Sequence, residues 1–389
     1  MRTRARQHVR EFRAPEEAAA EQRAWDVVRT AYLGREPVGG RTRTRARFAL
    51  APILAVIAAG LLLSPAGATV GRLITKALGV RHPAPMLSSL PSPGRILLSG
   101  PGGTWTAAAD GSIRHLGSWS QASWSPRGLY VAVASRDRLA AVDPRGHVQW
   151  AIARTNVSDP QWFSPSGYRV SYLSGRTLRV IAGDGTGDHL LATRVSAVAP
   201  AWRPGYPFQL AYVTAANRVV LRDADTEQVI WSTVAPHARP RQLLWSNDGR
   251  RLVVVTDHAV LTYSGHGTRQ ATLHLAGPPA GSAALAPDGT LLALVLGGRE
   301  MVVIRTGSSR TAAHQLLAVT GLRDVSWSPN GRWLLVSLPA ADQWVFVRAL
   351  GTPRVAAVAR IAQQFSDGGA AKAFPQLEGW CCTIHGSAG

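Results

Sequence analysis

The chain has 389 residues, 46% of them hydrophobic, and a formal net charge of +20 at neutral pH. This composition is typical of a globular protein with a large core and excludes a disordered polar chain. The charge comes from arginines scattered among alanines and glycines, a pattern that high-GC coding bias also produces. Because no basic run with interleaved aromatics marks a nucleic-acid groove, we interpret these arginines as solvated surface residues and predict no nucleic-acid partner.

Residues 1–47 are predicted to be an Arg-rich cytoplasmic segment with one helix over about 16–35. The stretch EEAAAEQRAWDVVRTAYLGREP begins with acidic residues, is rich in alanine and ends at Gly34 and Pro37. Its apolar residues fall at near-helical spacing. Two interpretations stay open: a docking helix for a cytoplasmic partner, and a helix that lies on the membrane surface or is loosely ordered.

The segment 48–70 is predicted to be a transmembrane helix. Its sequence, FALAPILAVIAAGLLLSPAGATV, has 23 residues without a charge. As a helix it would measure ~34 Å, which exceeds the ~30 Å hydrocarbon core of a bilayer. Twelve arginines precede the segment and only Arg72, Lys76 and Arg81 follow closely. The positive-inside rule therefore predicts a single-pass protein with its N-terminus in the cytoplasm and the bulk of the chain outside.

Two alternatives compete with the transmembrane helix. Ala66-Gly67-Ala68 resembles the cleavage site of a secretory leader, although 47 preceding residues are unusually many for one. A buried core helix is the other alternative, but the rest of the sequence predicts no helices to cover it. The segment 71–87 is interpreted as a linker.

A motif of an aromatic residue followed by Ser-Pro-x-Gly recurs after the linker. Its copies are WSPRG from Trp124, FSPSG from Phe163, WSNDG from Trp245, LAPDG from Leu285 and WSPNG from Trp327, with looser forms at Leu90 and Trp202. The intervals between successive starts are 34, 39, 39, 43, 40 and 42 residues, the period of β-propeller blades. In each copy Pro presets the backbone for a turn and Gly takes its left-handed position, so each motif predicts a strand-turn-strand corner.

Four short antiparallel strands are predicted in each repeat, as in a propeller blade. Residues 95–116 supply strands two to four of a first blade, and LEGWCC at 377–382 reads as its missing first strand. Joining the two chain ends in one blade would close the ring and hide both edges. The fold class is therefore all-β, a propeller at 88–382 with a tail at 383–389. Seven blades are favoured, and six or eight stay open if 86–90 fills the first-strand position instead.

These W-S-P-x-G repeats resemble those of the periplasmic translocation protein TolB and, more distantly, WD-repeat blades. The resemblance covers residues 88–382 and implies an extracytoplasmic propeller in a bacterium, an actinobacterium by its coding bias. The N-terminal domain of TolB is replaced here by the cytoplasmic segment and the membrane helix, so its specific partners are not carried over. We interpret the repeated residues as packing between blades: Trp124, Phe163, Trp202, Trp245, Leu285, Trp327 and Trp380.

Motifs of catalysis are absent from the sequence. It contains no Gly-x-Ser-x-Gly, no phosphate-binding Gly-x-x-x-x-Gly-Lys and no His-Glu-x-x-His. Histidines such as His147, His189, His266 and His314 fall in or beside predicted turns, where a metal-ligating role is disfavoured. We expect no catalytic residue, no cofactor and no metal site.

The only cysteines, Cys381 and Cys382, are adjacent. They cannot staple a fold and lack the spacing of a zinc site. Outside the membrane they could form a vicinal disulfide that fixes the last strand, or pair with another chain. A similar adjacent pair occurs in quinone-cofactor dehydrogenases, which are also propellers, but the calcium ligands and Trp-docking motifs of that family are not recognisable. We expect a structural or inert pair rather than redox catalysis.

Three functions are carried forward. The leading hypothesis is a non-enzymatic platform on the extracytoplasmic side that binds a protein or another envelope component. The second is an extracytoplasmic propeller enzyme, lactonase-like or quinoprotein-like. The third is a transmembrane regulator whose helix at 16–35 binds a cytoplasmic factor.

Overall fold

The computed structural model describes residues 83–234, 239–307, 313–350, 354–366 and 373–382. The predicted cytoplasmic helix at 16–35, the predicted membrane helix at 48–70 and the tail at 383–389 lie outside these residues. Among the residues that are described, no helix is both long and apolar enough to cross a membrane.

The described part forms seven antiparallel sheets of four strands each, which confirms the seven-bladed propeller. Blade I contains β1 (Arg95–Gly100), β2 (Gly103–Ala108) and β3 (Ile113–Gly117). Blade II contains β4 (Gln121–Trp124), β5 (Val131–Ser135), β6 (Arg138–Val142) and β7 (Val148–Ala153). Blade III contains β8 (Val157–Trp162), β9 (Arg169–Ser174), β10 (Thr177–Ala182) and β11 (His189–Thr193).

The remaining blades repeat this order. Blade IV contains β12 (Ala201–Trp202), β13 (Gln209–Val213), β14 (Arg218–Asp223) and β15 (Val229–Val234). Blade V contains β16 (Pro240–Trp245), β17 (Arg251–Thr256), β18 (Ala259–Ser264) and β19 (Arg269–His274). Blade VI contains β20 (Ala280–Leu285), β21 (Leu291–Leu296), β22 (Glu300–Arg305) and β23 (His314–Ala318). Blade VII contains β24 (Val325–Trp327), β25 (Trp333–Leu338), β26 (Gln343–Arg348) and β27 (Val355–Ala359).

The last strand, β28 (Gln376–Cys381), closes the ring by pairing antiparallel with β1. It occupies the first-strand position of blade I, as the sequence predicted, and the segment 86–90 does not. Ile96 pairs with Trp380, and Arg95 pairs with Cys381. Blade I is thus built from both ends of the described chain. Because β1 and β28 pair with each other, neither of them is left as a lone strand at a gap in the ring.

The core consists of seven seams, each between two neighbouring blades. In β5, for example, Val131 and Val133 pack in the seam with blade I, whereas Ala132 and Ala134 pack in the seam with blade III. Side chains of a strand alternate between its two faces, so a strand between two seams needs apolar residues at every position. This explains the continuous apolar runs that follow each motif.

The segment that enters blade I packs along the outer edge of the ring. Ala84 forms a parallel bridge to Val358 in the outermost strand of blade VII. Leu87 is buried, and its backbone N–H donates to Gln364 Oε1 at 2.8 Å. A short helix, α1 (Ile361–Gln364), and a 3₁₀ turn (Pro339–Ala341) complete blade VII.

We call the face that carries the turns between the first and second strands the first-turn face. Because the strands of a blade are antiparallel, the turns between third and fourth strands lie on this face too. Aspartates on this face cap the backbone of the turns: Asp143 Oδ1 accepts the backbone N–H groups of Arg145 and His147, and Asp288 Oδ1 accepts that of Thr290.

Candidate functional site

A central channel of about 810 Å³ is lined by the first strands of all seven blades. At its first-turn end, each blade contributes one residue at the end of its first strand, or one position before the end in blade I, and the residue two positions later. The latter residues form the channel mouth: Pro126, Ser164, Pro204, Asn247, Pro287, Pro329 and Cys382. No charged side chain occurs in this set, so the mouth is a ring of apolar and small polar groups.

The strand residues of this set form a belt between the blades, six of the seven being tryptophans: Trp380, Trp124, Trp162, Trp202, Trp245, Leu285 and Trp327. In three of them, the indole N–H donates to a backbone carbonyl of the preceding blade. These bonds join Trp202 to Gln161 (2.9 Å), Trp245 to Ala201 (3.1 Å) and Trp327 to Ala284 (2.9 Å). In each case the acceptor is the residue before the belt position of its own blade. The belt therefore connects neighbouring blades, and these three indoles have no donor left for a ligand.

Blade III departs from the sequence alignment of the repeat, which placed Phe163 in the belt. Trp162 lies in the channel wall instead, and Gln161 before it accepts the bond from the next blade. The reason is a longer turn: five positions separate Trp162 from Gly167, against four in the WSPRG motif of blade II. Phe163 is buried in the seam with blade IV, where its ring lies 5.4 Å from that of Trp202.

The belt differs on the three consecutive blades I, II and III. Within the described residues, the indole nitrogens of Trp380, Trp124 and Trp162 are buried and have no hydrogen-bond partner. Leu285 of blade VI has no donor at all. The belt is thus hydrogen-bonded on one side of the ring and held by packing on the other.

The adjacent cysteines lie at this mouth, where the structure joins Cys381 and Cys382 in a disulfide. Cys382 Sγ lies 3.5 Å from the carbonyl oxygen of Pro126 in the first turn of blade II. A Cβ placed on Gly128 would come within 3.1 Å of Cys382 Sγ and 2.8 Å of Arg95 Nη2. Only glycine therefore fits at this point, where the turn, the disulfide and a guanidinium converge.

A buried carboxyl group, that of Glu378, lies deeper in the channel wall. Ser99 Oγ donates a hydrogen bond to Glu378 Oε1 in β28. Burial raises the pKa of Glu378 to about 7, against the opposing effect of the Ser99 hydrogen bond, and the carboxylates of Asp159 and Asp324 add to the rise. Burial also raises the pKa of Asp159. Among the described residues, no three side chains of His, Cys, Asp or Glu stand close enough to hold a metal ion.

A second concavity, of about 530 Å³, lies between the outer parts of blades II and III on the first-turn face. We call it the aromatic groove. Tyr130 and Tyr168, which follow the first turns of these two blades, line it and are 41% and 66% exposed. Trp150 of β7 and the third-turn residues of blade III complete it. Leu129, beside Tyr130, is 59% exposed and extends the apolar surface outward.

The wall of the groove is fixed by a contact between an indole and a glycine. Trp150 Nε1 donates to the carbonyl oxygen of Gly183 at 2.8 Å. Gly185 has φ +87°, and a Cβ there would come within 2.7 Å of the Trp150 ring. The same contact recurs between blades IV and V, where Trp231 Nε1 donates to Gly265 and a Cβ on Gly267 would meet the ring at 2.7 Å. The third-turn glycine thus holds the outermost strand of the preceding blade.

Backbone groups along the groove are already paired. The N–H donors pair as Gly167 to Phe163, Gly183 to Tyr168 and Gly185 to Ala182, each at 2.9 Å. At the rim, the Arg169 guanidinium donates to both oxygens of Asp225 at 3.1 and 3.0 Å. Hydrogen bonds from Thr186 lower the pKa of Asp184, which stays ionised at neutral pH. A ligand of this groove is therefore read by side chains and not by strand pairing.

The groove and the channel mouth are continuous through blade II. The Tyr130 ring stacks near that of Trp162, with 6.5 Å between centroids. A Cβ on Gly167, in the groove, would lie 3.7 Å from Cδ of Pro126, at the mouth. Sequence reasoning missed this surface because its two tyrosines follow the repeated motif and do not belong to it. The available signal was a tyrosine one or two positions after the turn glycine in neighbouring blades.

An ion-pair cluster links blades II and III on their outer side. Arg154 and Arg179 both donate to the carboxylate of Asp188, and Tyr172 Oη donates to its Oδ1 at 2.7 Å. Burial opposes ionisation of Asp188, but the hydrogen bonds from Arg179, Tyr172 and Arg154 outweigh it and lower its pKa. Burial and the nearby Asp188 carboxylate raise the pKa of Tyr172 to about 12. The Asp188 carboxylate is shared by three side chains of the fold, which indicates a structural role.

No family model matches the chain, and no curated protein matches it. Solved structures of similar fold include the β-propeller domain of Cps50 (Swd1) from Myceliophteria thermophila, at 14% identity, with 66% of this chain and 98% of that chain covered and a TM-score of 0.56. Hsv2p from Kluyveromyces lactis is similar at 12% identity, with 69% and 96% covered and a TM-score of 0.55. Such low identities show the fold alone. The chain has a WD40-like, seven-bladed propeller fold.

Proposed function

We propose that this chain is a membrane-anchored, extracytoplasmic propeller that binds a protein partner of the cell envelope, without catalysing a reaction, through the aromatic groove. The observation that carries the proposal is the exposure of Tyr130 and Tyr168 beside a formed groove on one face of the ring. Exposed tyrosines in a concavity are typical of the energetic centres of protein interfaces, since they bury a large area at a small cost in side-chain entropy.

The groove also constrains how the partner binds. Three of its backbone N–H donors, those of Gly167, Gly183 and Gly185, are paired internally, which disfavours an extended peptide that adds a strand there. The partner is expected to insert apolar side chains between the two tyrosine rings. Arg127 is exposed in the adjacent first turn, so an acidic rim on the partner would complement this face.

The membrane anchor and the location are supported by the sequence. The uncharged segment 48–70 is long enough to span a bilayer, and the arginines before it favour a cytoplasmic N-terminus. The resemblance of the repeats to those of TolB favours an extracytoplasmic propeller. Protease treatment of intact spheroplasts tests this directly: we expect the propeller to be digested without lysis, and protection until lysis would reverse the orientation.

Site-specific photocrosslinking in intact membranes tests the groove. A photoreactive phenylalanine analogue is placed at Tyr168, at Tyr130 or at Val229, which is 57% exposed on the outermost strand of blade IV and serves as the control surface. We expect one and the same protein at the two groove positions and none of it at Val229. Equal capture at all three positions, or none at the groove, would contradict the proposal.

A version lacking 1–47 separates binding from inward signalling. If it inserts in the membrane and still crosslinks the same protein, the propeller alone binds the partner and the cytoplasmic segment is dispensable for capture. With the partner identified, Tyr168→Ala is expected to weaken binding by about tenfold to a hundredfold, the usual range for a central interface tyrosine. Val229→Thr, on the control surface, should leave the Kd unchanged.

A further inference from the structure

The disulfide at the channel mouth stands in an unusual position for a purely structural bond. It joins neighbours in sequence, so it closes no loop of the fold and adds little by restricting the unfolded chain. Both cysteines are partly exposed and line the open end of the channel. A small or protein-borne thiol approaching from the first-turn face would therefore meet the sulfur atoms directly.

A cation stands beside these sulfur atoms. The Gly128 contacts place Arg95 Nη2 and Cys382 Sγ within about 6 Å of each other, close enough for a charge to favour an anion. Arg95 Nη2 donates to the carbonyl oxygen of Gly128, and its guanidinium lies 4.8 Å from the centroid of the Trp124 ring. These two contacts fix the guanidinium in place.

Arg95 is also electrostatically uncompensated within the part of the chain that the structure describes. None of the described carboxylates forms an ion pair with it. Its Nε–H is buried and has no hydrogen-bond partner there. A partly buried cation with an unused donor is the environment that lowers the pKa of a cysteine and stabilises its thiolate.

We propose that Cys381 and Cys382 form a redox-active disulfide that exchanges with an external dithiol, and that Arg95 stabilises the Cys382 thiolate released in the first step. The thiolate of the dithiol attacks Cys381 Sγ. The S–S bond breaks, and its electron pair leaves on Cys382 Sγ. The second thiolate of the reagent then attacks the reagent sulfur of the mixed disulfide. The bond to Cys381 Sγ breaks, and Cys381 leaves as a thiolate. Two electrons and two protons pass to the protein, and the dithiol becomes a disulfide.

The first test is the redox state and reactivity of the full chain, purified in detergent. Iodoacetamide is added before and after dithiothreitol, and adducts are counted by mass spectrometry. We expect no adduct before reduction, two after it, and recovery of the unreactive form when dithiothreitol is removed and oxidised glutathione is added. Two adducts without reduction, or no reduction by millimolar dithiothreitol in the folded protein, would overturn the proposal.

The second test addresses Arg95 in a Cys381→Ser background, in which Cys382 is the only thiol. The pH dependence of its alkylation rate reports the pKa of the Cys382 thiol. We expect a midpoint below the ordinary value of about 8.5 and a rise of about one unit on adding Arg95→Gln. Arg127→Gln, which removes an exposed arginine from the neighbouring turn, is the matched control and should not move it.

The role of Arg95 can be tested even if the Arg95→Gln variant does not fold. If Arg95→Gln fails to fold, Arg95→Lys keeps the charge without the planar fork and should keep the midpoint low. A Cys382 midpoint at or above the ordinary value with Arg95 intact, or equal shifts for the Arg95 and Arg127 variants, would refute the role of Arg95. The test needs no protein partner, so its result is independent of the function proposed for the aromatic groove.

Discussion

Replacing Glu378 by glutamine should remove a pH dependence of stability that arises from the burial of this carboxyl in the channel wall. The pKa of this carboxyl is raised from 4.5 to about 7 by burial. The folded chain therefore binds the proton more tightly than the unfolded chain does. This stabilisation is fully present below pH 4.5 and is lost as the pH rises through 7.

The size of the effect follows from the shift. At ~1.4 kcal/mol per pKa unit, the rise corresponds to about 3 kcal/mol, and water in the channel reduces this to about 1–2 kcal/mol. For a domain of this size, that is about 2–4 °C in Tm. The wild-type Tm should therefore fall further between pH 5 and pH 8 than the Tm of Glu378→Gln.

Thermal melts followed by circular dichroism from pH 4.5 to 8.5 measure this difference. Glu300→Gln, a substitution of an exposed carboxyl in β22, is the control and should parallel the wild type. Parallel profiles for all three proteins would show that Glu378 is hydrated and ionised in the channel, and the burial argument would then be wrong.

Three further predictions concern the contacts between blades. Trp202→Phe removes a hydrogen bond to the preceding blade and should lower the free energy of unfolding by about 1 kcal/mol more than Trp162→Phe, whose indole nitrogen is unpaired; equal urea midpoints would refute this. Gly185→Ala drives a Cβ into an indole and should cost about 2 kcal/mol more than Gly187→Ala, which has similar backbone strain but open space; equal Tm values would contradict the clash. Asp188→Asn should cost about 2 kcal/mol at pH 7, and the cost should shrink as the pH falls below 3.8, the ordinary value, and through the lowered pKa of the folded carboxyl; a pH-independent difference in urea midpoint would exclude the ion-pair explanation.

The blade architecture was readable from the sequence because it rests on local rules. Each Pro-x-Gly corner fixes a turn within five residues, and each apolar run needs only two seams to bury it. The closing strand was found for the same reason, since LEGWCC places Trp380 where the other blades have their indole. The belt position in blade III was not found, because a turn with one extra residue moves Trp162 into the wall and Phe163 into the seam.

The functional surfaces were less predictable because they depend on residues far apart in the chain. Arg95 lies 286 positions before Cys381, and only ring closure brings β1 beside β28. Glu378 looks like an ordinary polar residue of a strand in the sequence, because Asp159 and Asp324, whose charges act on it, belong to other blades. Tyr130 and Tyr168 belong to different repeats, so the period of the sequence separates them and only the packing of blades II and III makes a groove.

The first turn of blade II joins the two proposed surfaces, and thermodynamic linkage makes their coupling measurable. Pro126 touches Cys382 at the mouth and lies next to Gly167 in the groove, while Tyr130 ends the same turn. If reduction changes this turn, a partner bound at the groove must shift the reduction potential by the same free energy by which reduction shifts its affinity. A tenfold difference in Kd between the oxidised and reduced proteins therefore requires a shift of about 30 mV on partner binding. Equal Kd values with an unchanged potential would establish that the groove and the disulfide act independently.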